Sequence, residues 1–199
     1  TTLDCQTDKR DTGRHLIVLA KNKTGYKNLI KLVSKAWTEG FYSHPRTDKT
    51  ELAAHKEGLI IASACLGGEI PQLLMRGMDD EADKQVKWWK DTFGDDYYIE
   101  LQRHRTDKPG GNRTVYEEQQ KVNPKLIALA RKYDIKLICT NDSHFVNEED
   151  AEAHDRLICV STNSNLTDPN RMRYTKQEWL KTQQEMNDLF ADIPEALEN

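Results

Sequence analysis

Four short apolar runs, separated by segments with helical periodicity, constrain this chain more than any other feature. The runs are His15-Leu-Ile-Val-Leu-Ala20, Leu59-Ile-Ile-Ala-Ser-Ala64, Tyr97-Tyr-Ile-Glu-Leu101 and 135–140. Each has the length of a strand and is too short for a buried helix. Between them, residues 24–38 carry Tyr26, Leu29, Ile30, Val33, Ala36 and Trp37 at three- and four-residue steps, with Gly40 as a stop. Residues 80–93 put Val86, Trp89 and Phe93 on one side of a helix. Further helices are expected at 49–56, from Gly67-Gly-Glu-Ile-Pro71 to Gly77, and over 115–133 with a break before Pro124. Others are expected over 148–160, 175–181 and 183–190, where Thr182 followed by Glu185 fits a capping box. This alternation predicts an α/β fold of largely parallel strands with outer helices. No repeat or linker interrupts it, so 1–199 reads as a single domain.

In such folds the chemistry collects where strands end. Cys65 follows the second run, His104 the third, and Asp142 with His144 the fourth. The fourth run stops abruptly in Cys139-Thr-Asn-Asp-Ser-His-Phe145. Extended residues two apart point the same way, which delivers a carboxylate and an imidazole to one spot. A hard oxygen beside a ring nitrogen begins a zinc, manganese or iron hydrolase site, so Asp142 and His144 are the candidate catalytic pair. The competing reading is a turn in which Asp142 caps the helix starting near Glu148.

His104 lies in a charged loop with Arg103, Arg105, Lys108 and Arg113, a cluster suited to nucleic-acid phosphates. The alternative is a solvated loop. Arg171 and Arg173 suit DNA, a neighbouring domain or nearby carboxylates, and His44, His55 and His154 read as surface or capping residues. Trp37, Trp88, Trp89 and Trp179 read as core or interface anchors. Trp88 and Trp89 cannot share one helix face, being about 100° apart.

The net charge of −4 gives no global sign of nucleic-acid binding, so any such contact is a local patch. With 37% hydrophobic and 31% charged residues the chain is polar but not disordered in composition. No apolar run is long enough to span a membrane. The cysteines, Cys5, Cys65, Cys139 and Cys159, form no CxxC motif. Those in apolar runs, Cys139 and Cys159, suit buried free thiols in a reducing, cytoplasmic compartment. Thr1-Thr-Leu-Asp-Cys5 has no signal-peptide character, and both it and Pro194–Asn199 read as cuts inside a longer protein.

Several long strings carry a family resemblance. His15–Asn22, Gly25-Tyr-Lys-Asn-Leu29, Glu39-Gly-Phe-Tyr42, Ser63–Pro71, Phe93–Leu101 and Thr140-Asn-Asp-Ser-His144 resemble the PHP (polymerase and histidinol phosphatase) domain of bacterial DNA polymerase III alpha subunits. Glu148–Asp155, Asp168–Arg173 and Phe190–Asn199 continue it. The resemblance implies a distorted TIM-like α/β barrel with a metal-holding cleft at its strand ends. This chain would be its C-terminal part, with 175–199 leading toward the polymerase domains. It implies metal-ligand positions at His15, Cys65, Asp142 and His144. A thiolate there favours zinc over magnesium, with manganese as the alternative. The family's His-x-His, a following Asp, a further His and a Glu would lie before residue 1. Little catalysis is therefore expected of this chain alone, and its metal site is expected to be incomplete. Two departures stand out: Ser143 where the family often has an apolar residue, and Asn163 where it often has Gly. Asn tolerates a left-handed backbone, so the turn at 163 survives.

The implied activity is metal-dependent 3′→5′ removal of misincorporated nucleotides within a DNA-directed DNA polymerase. The implied partners are DNA and other replicase subunits. The alternative is a non-catalytic scaffold that docks a separate proofreading exonuclease. A histidinol-phosphate-type phosphatase fits the metal chemistry but not the polymerase-like strings after residue 145.

Overall fold

A computed structural model describes residues 13–199. The strands are β1 (Ile17–Ala20), β2 (Leu59–Ala62), β3 (Tyr97–Leu101) and β4 (Lys136–Cys139), in the sheet order β1-β2-β3-β4. All four expected strands are present, each at or just inside its apolar run. β2 runs parallel to β3, while β1 runs antiparallel to β2, with Ile17 opposite Ala62. Among the described residues the sheet is open and does not close into a barrel.

The helices are α1 (Lys23–Thr38), α2 (Lys49–Ala54), α3 (Glu69–Met75), α4 (Asp79–Phe93), α5 (Thr114–Lys132), α6 (Ala151–Ser161), α7 (Gln183–Leu189) and α8 (Glu195–Glu198). Local chemistry sets their ends. The Asn22 side chain accepts the Gly25 N–H at 3.0 Å to open α1, and Gly40 donates back to the Lys35 carbonyl to close it. Asp48 caps α2 through the Glu51 N–H. Asp79, Asp80 and Glu81 sit in the first turn of α4 and Lys90 in its last, which matches the helix dipole. Thr182 and Glu185 form the expected capping box of α7. No helix of the described residues is long and apolar enough to cross a membrane.

The described residues fall into two compact units. Of the described residues, the first comprises 13–100 with Leu126–Leu137, the second Leu101–Lys125 with Ile138–Asn199. In the first, Leu59, Ile61, Ile70, Leu74, Val86, Trp89 and Ile99 are buried. Trp89 stacks on Phe93 and Tyr97, at centroid distances of 5.7 and 5.6 Å. Trp88 is half-buried where Trp89 is fully buried, and Lys49 lies over both indoles. In the second, Leu101, Val122, Ile158, Phe190 and Ile193 are buried.

Three local expectations are corrected. First, α5 runs through Pro124 without a break. Pro124 and Gln120, whose carbonyl the proline leaves without its helical donor, are both exposed, so water can satisfy that oxygen. Second, 175–181 is not helical. The Glu178 carboxylate takes the backbone N–H groups of Thr175 and Gln177, and Lys176 sits at φ +67°. The segment then pairs with 144–146, through His144 N–H to Glu178 O and Leu180 N–H to Phe145 O. Third, the start of the helix after residue 147 is capped by Asn147 and Asp150 rather than Asp142. The Asp150 carboxylate accepts the Asn147 N–H at 2.9 Å.

Candidate functional site

In the first unit, two sequence-predicted donors meet. His15 leads into β1, and its N–H bonds to the Gly67 carbonyl at 3.0 Å. Cys65 lies in the turn after β2. That turn is held by the buried Glu100, whose carboxylate accepts the Ala64 N–H at 2.8 Å while its own N–H binds the Ser63 hydroxyl. Gly68 completes it. A Cβ there would lie 2.1 Å from the Ser63 carbonyl, so no other residue fits without moving backbone. The result brings His15 Nδ1 to 3.2 Å from Cys65 Sγ, and the Gly67 N–H also donates to that sulfur, at 3.4 Å.

In the second unit, the chain after β4 makes a tight turn through Asn141, Asp142, Ser143 and His144. Asp142 has φ +45°, in the left-handed region. The turn is tied to the 177–179 strap. Asn141 Nδ2–H donates to the Gln177 and Trp179 carbonyls at 2.9 and 2.7 Å, and the His144 N–H donates to Glu178 O at 2.8 Å. His144 Nε2 lies 3.7 Å from Asp142 Oδ1. The His144 ring packs edge-on to Tyr174 at 4.6 Å and near His154 at 5.6 Å. Burial, and next the neighbouring His144, hold the His154 pKa below its ordinary value. The sequence read His154 as a surface or capping residue and did not single out Tyr174. The signal was the His-Asp pair at 154–155, set one helix beyond the turn.

Of the residues read as phosphate contacts, Arg103 is bidentate to Asp192 at 2.6 and 2.8 Å and stacks over Phe190. Lys108 pairs with Glu148 at 2.8 Å. His104 is buried, so it is not a surface contact for phosphate. Its ring and backbone are gripped by Gln119, and Nε2 lies 3.0 Å from the Asn141 carbonyl. Burial pushes its pKa down. Arg105 and Arg113 are exposed. Arg113 lines an open groove with Arg171, Arg173, Asn112 and Glu117. Arg171 is committed to Asp155, at 2.6 and 2.7 Å, and Arg173 to the Asp168 and Pro169 carbonyls.

Burial also pushes the Cys139 thiol up to about 12, so it is a packing residue. Cys159 is buried, and it and Cys139 are free thiols. Cys5 lies outside the described residues. Beside the turn, Lys181 Nζ sits 3.2 Å from the centre of the Trp179 ring, and burial lowers its pKa to about 8.

Donors that share one zinc ion, bound at about 2.0–2.3 Å, lie roughly 3.3–3.8 Å apart. The His15–Cys65 and Asp142–His144 pairs stand at or near that spacing. The buried Asn141 Oδ1, next to Asp142, has no hydrogen-bond partner, and a bound cation or its water would satisfy it. The residues therefore fit a metal pair by pair. Among the described residues no group of three or more His, Cys, Asp or Glu side chains is arranged to hold one.

Comparison with known proteins matches residues 1–104 to the family described as "PHP domain". A DNA polymerase III subunit alpha of Borreliella burgdorferi is 44% identical over 195 residues, covering 98% of this chain and 16% of that protein. Its Treponema pallidum counterpart is 45% identical over 187 residues, covering 93% and 15%. That of Thermus aquaticus is 42% identical over 183 residues, covering 92% and 14%. The chain thus spans about a sixth of the length of these relatives. Matched over more than half its length, and carrying donor pairs at its strand ends, this chain belongs to the PHP domain family.

Proposed function

We propose that this chain is the PHP-domain part of a bacterial replicative DNA polymerase III alpha subunit, and that its strand-end donor pairs serve metal-dependent 3′→5′ hydrolysis of a DNA phosphodiester. The observation that carries this reading is the pairing of unlike donors in the turns that follow two strands. His15 stands with Cys65, and Asp142 with His144. Thiolate and imidazole suit zinc, and the carboxylate suits zinc or manganese. In the one pair Cys65 would be the soft donor and His15 the borderline one; in the other His144 would be the borderline donor and Asp142 the anionic oxygen donor. A bound divalent ion would supply Lewis acidity toward the phosphodiester and a reactive water. The protein's part is to hold the donors in fixed orientations. The Glu100-braced turn does this for Cys65, and the 177–179 strap does it for Asp142 and His144. In the longer protein, nucleotide addition belongs to domains outside this chain. DNA, the other replicase subunits and a separate proofreading exonuclease are the expected partners, in the bacterial cytoplasm.

The test uses the longer protein, purified without chelators. Bound zinc or manganese is measured, and release of nucleotides from a mismatched primer is followed. Cys65→Ser and Asp142→Asn are each expected to lower that release on the order of 100-fold while leaving primer extension intact. Absence of both metal and nuclease would leave only a docking role for the domain.

A further inference from the structure

The left-handed backbone at Asp142 has to be held by something. An Asp at φ +45° costs about 1 kcal/mol relative to an extended or helical residue, and persists only where its surroundings impose it. Most of the bonds that secure the turn act on either side of this torsion. The Asn141 side chain is anchored before it, and the His144 N–H and the Ser143 hydroxyl after it. One bond acts on the torsion itself. Rotation about φ of Asp142 turns the peptide plane that contains the Asn141 carbonyl, and that carbonyl is held by the His104 ring at 3.0 Å.

The His104 ring is itself set in a single state. The Gln119 Oε1 accepts the His104 backbone N–H at 2.8 Å, which leaves the Gln119 amide nitrogen facing His104 Nδ1 at 3.1 Å. An amide nitrogen only donates, so Nδ1 accepts and the ring proton resides on Nε2, aimed at the Asn141 carbonyl. The chain from α5 through Gln119 and His104 to Asn141 is buried throughout. A solvated histidine or a phosphate contact needs none of this.

We propose that His104 is a positioning residue for the Asp142–His144 turn: its Nε2–H holds the peptide plane that sets the direction of the Asp142 carboxylate. The inference rests on the reading of Asp142 and His144 as metal donors, and it concerns how they are oriented rather than whether they bind.

The test separates the two. His104→Ala removes the donor, and His104→Gln returns an N–H at the place of ring Nε2. In the chain stripped of metal by chelation, exchange of the His144 amide reports whether the turn holds its bond to Glu178. His104→Ala is expected to speed that exchange at least tenfold, and His104→Gln to restore most of the protection. In the longer protein, His104→Ala should weaken zinc binding about 10- to 100-fold, with rescue by Gln. Should His104→Ala fail to fold, Gln119→Met loosens the ring without deleting it and is expected to shift both readouts the same way. A folded His104→Ala protein with unchanged His144 exchange and unchanged zinc affinity overturns the proposal. If His144 exchange depends on His104 but the longer protein binds no metal, the positioning role stands and the metal reading fails.

Discussion

Asp142 meets two demands that pull on residue choice differently. The turn requires a residue that accepts φ +45°, and the proposed chemistry requires a carboxylate. Asn shares the first property and lacks the second. Asp142→Asn is therefore expected to keep stability within about 0.5 kcal/mol while losing the metal donor. Asp142→Val, β-branched and intolerant of that backbone, should cost about 1–3 kcal/mol. Urea unfolding of the two variants checks this, and equal stability would mean that the torsion is not enforced. Asn163 shows how much of such geometry is legible beforehand. It was expected to tolerate a left-handed turn, and it sits at φ +51°. His104 shows the opposite. Its position after a strand was legible, but its partners are Gln119, fifteen residues on, and Asn141, thirty-seven residues on. A charged neighbourhood in sequence therefore gave a phosphate-contact reading, whereas the fold turns the ring inward.

Among the elements, several set by local rules matched expectation, the break before Pro124 excepted. The Thr182–Glu185 box starts α7, and Val86, Trp89 and Phe93 form the buried face of α4. Those set by longer contacts did not. Residues 175–181 lose their helix because Glu178 binds backbone N–H groups beside it and 144–146 pairs along it. The loop before that segment is tied to α6 by Arg171 and Asp155, a bidentate pair whose side chains are mostly buried. Arg171→Ala would leave the carboxylate without its partner and should destabilise the chain by about 3 kcal/mol at neutral pH. Arg171 holds the Asp155 carboxyl below its ordinary pKa. A carboxyl depressed in the folded state stabilises above its unfolded pKa, near 4, and that contribution is lost as pH falls through the lower folded value. The doubly substituted Asp155→Asn, Arg171→Met protein should therefore lose less stability than the unmodified chain between about pH 4 and pH 2. Urea titrations at several pH values would show it, and parallel loss in both proteins would remove this pair from the acid response.

At the scale of the whole molecule, α1 reveals what periodicity leaves undecided. Its apolar positions at three- and four-residue steps are real, yet Tyr26, Ile30, Val33 and Trp37 are about half exposed, while Leu32 is 3% exposed. Gly25 is also buried, against Gly58, where a Cβ would lie 1.7 Å from a carbonyl oxygen. Leu32→Ala should cost about 2–4 kcal/mol, and Ile30→Lys should stay within about 0.5 kcal/mol. Thermal unfolding that ranked them the other way would reverse this assignment of the core-facing side. The two units each carry their own buried set.

By itself the sequence determined the four strands, nearly all the helices, the cap of α7 and the family, because each depends on residues within a turn or two of one another or on strings read in order. Only the tertiary structure decided which face of α1 is buried, that β1 pairs antiparallel, that Cys65 meets His15, and that His104 braces the turn at Asp142. Those outcomes depend on groups brought together from fifteen to fifty residues apart, and no local pattern encodes which of several compatible partners a side chain will meet.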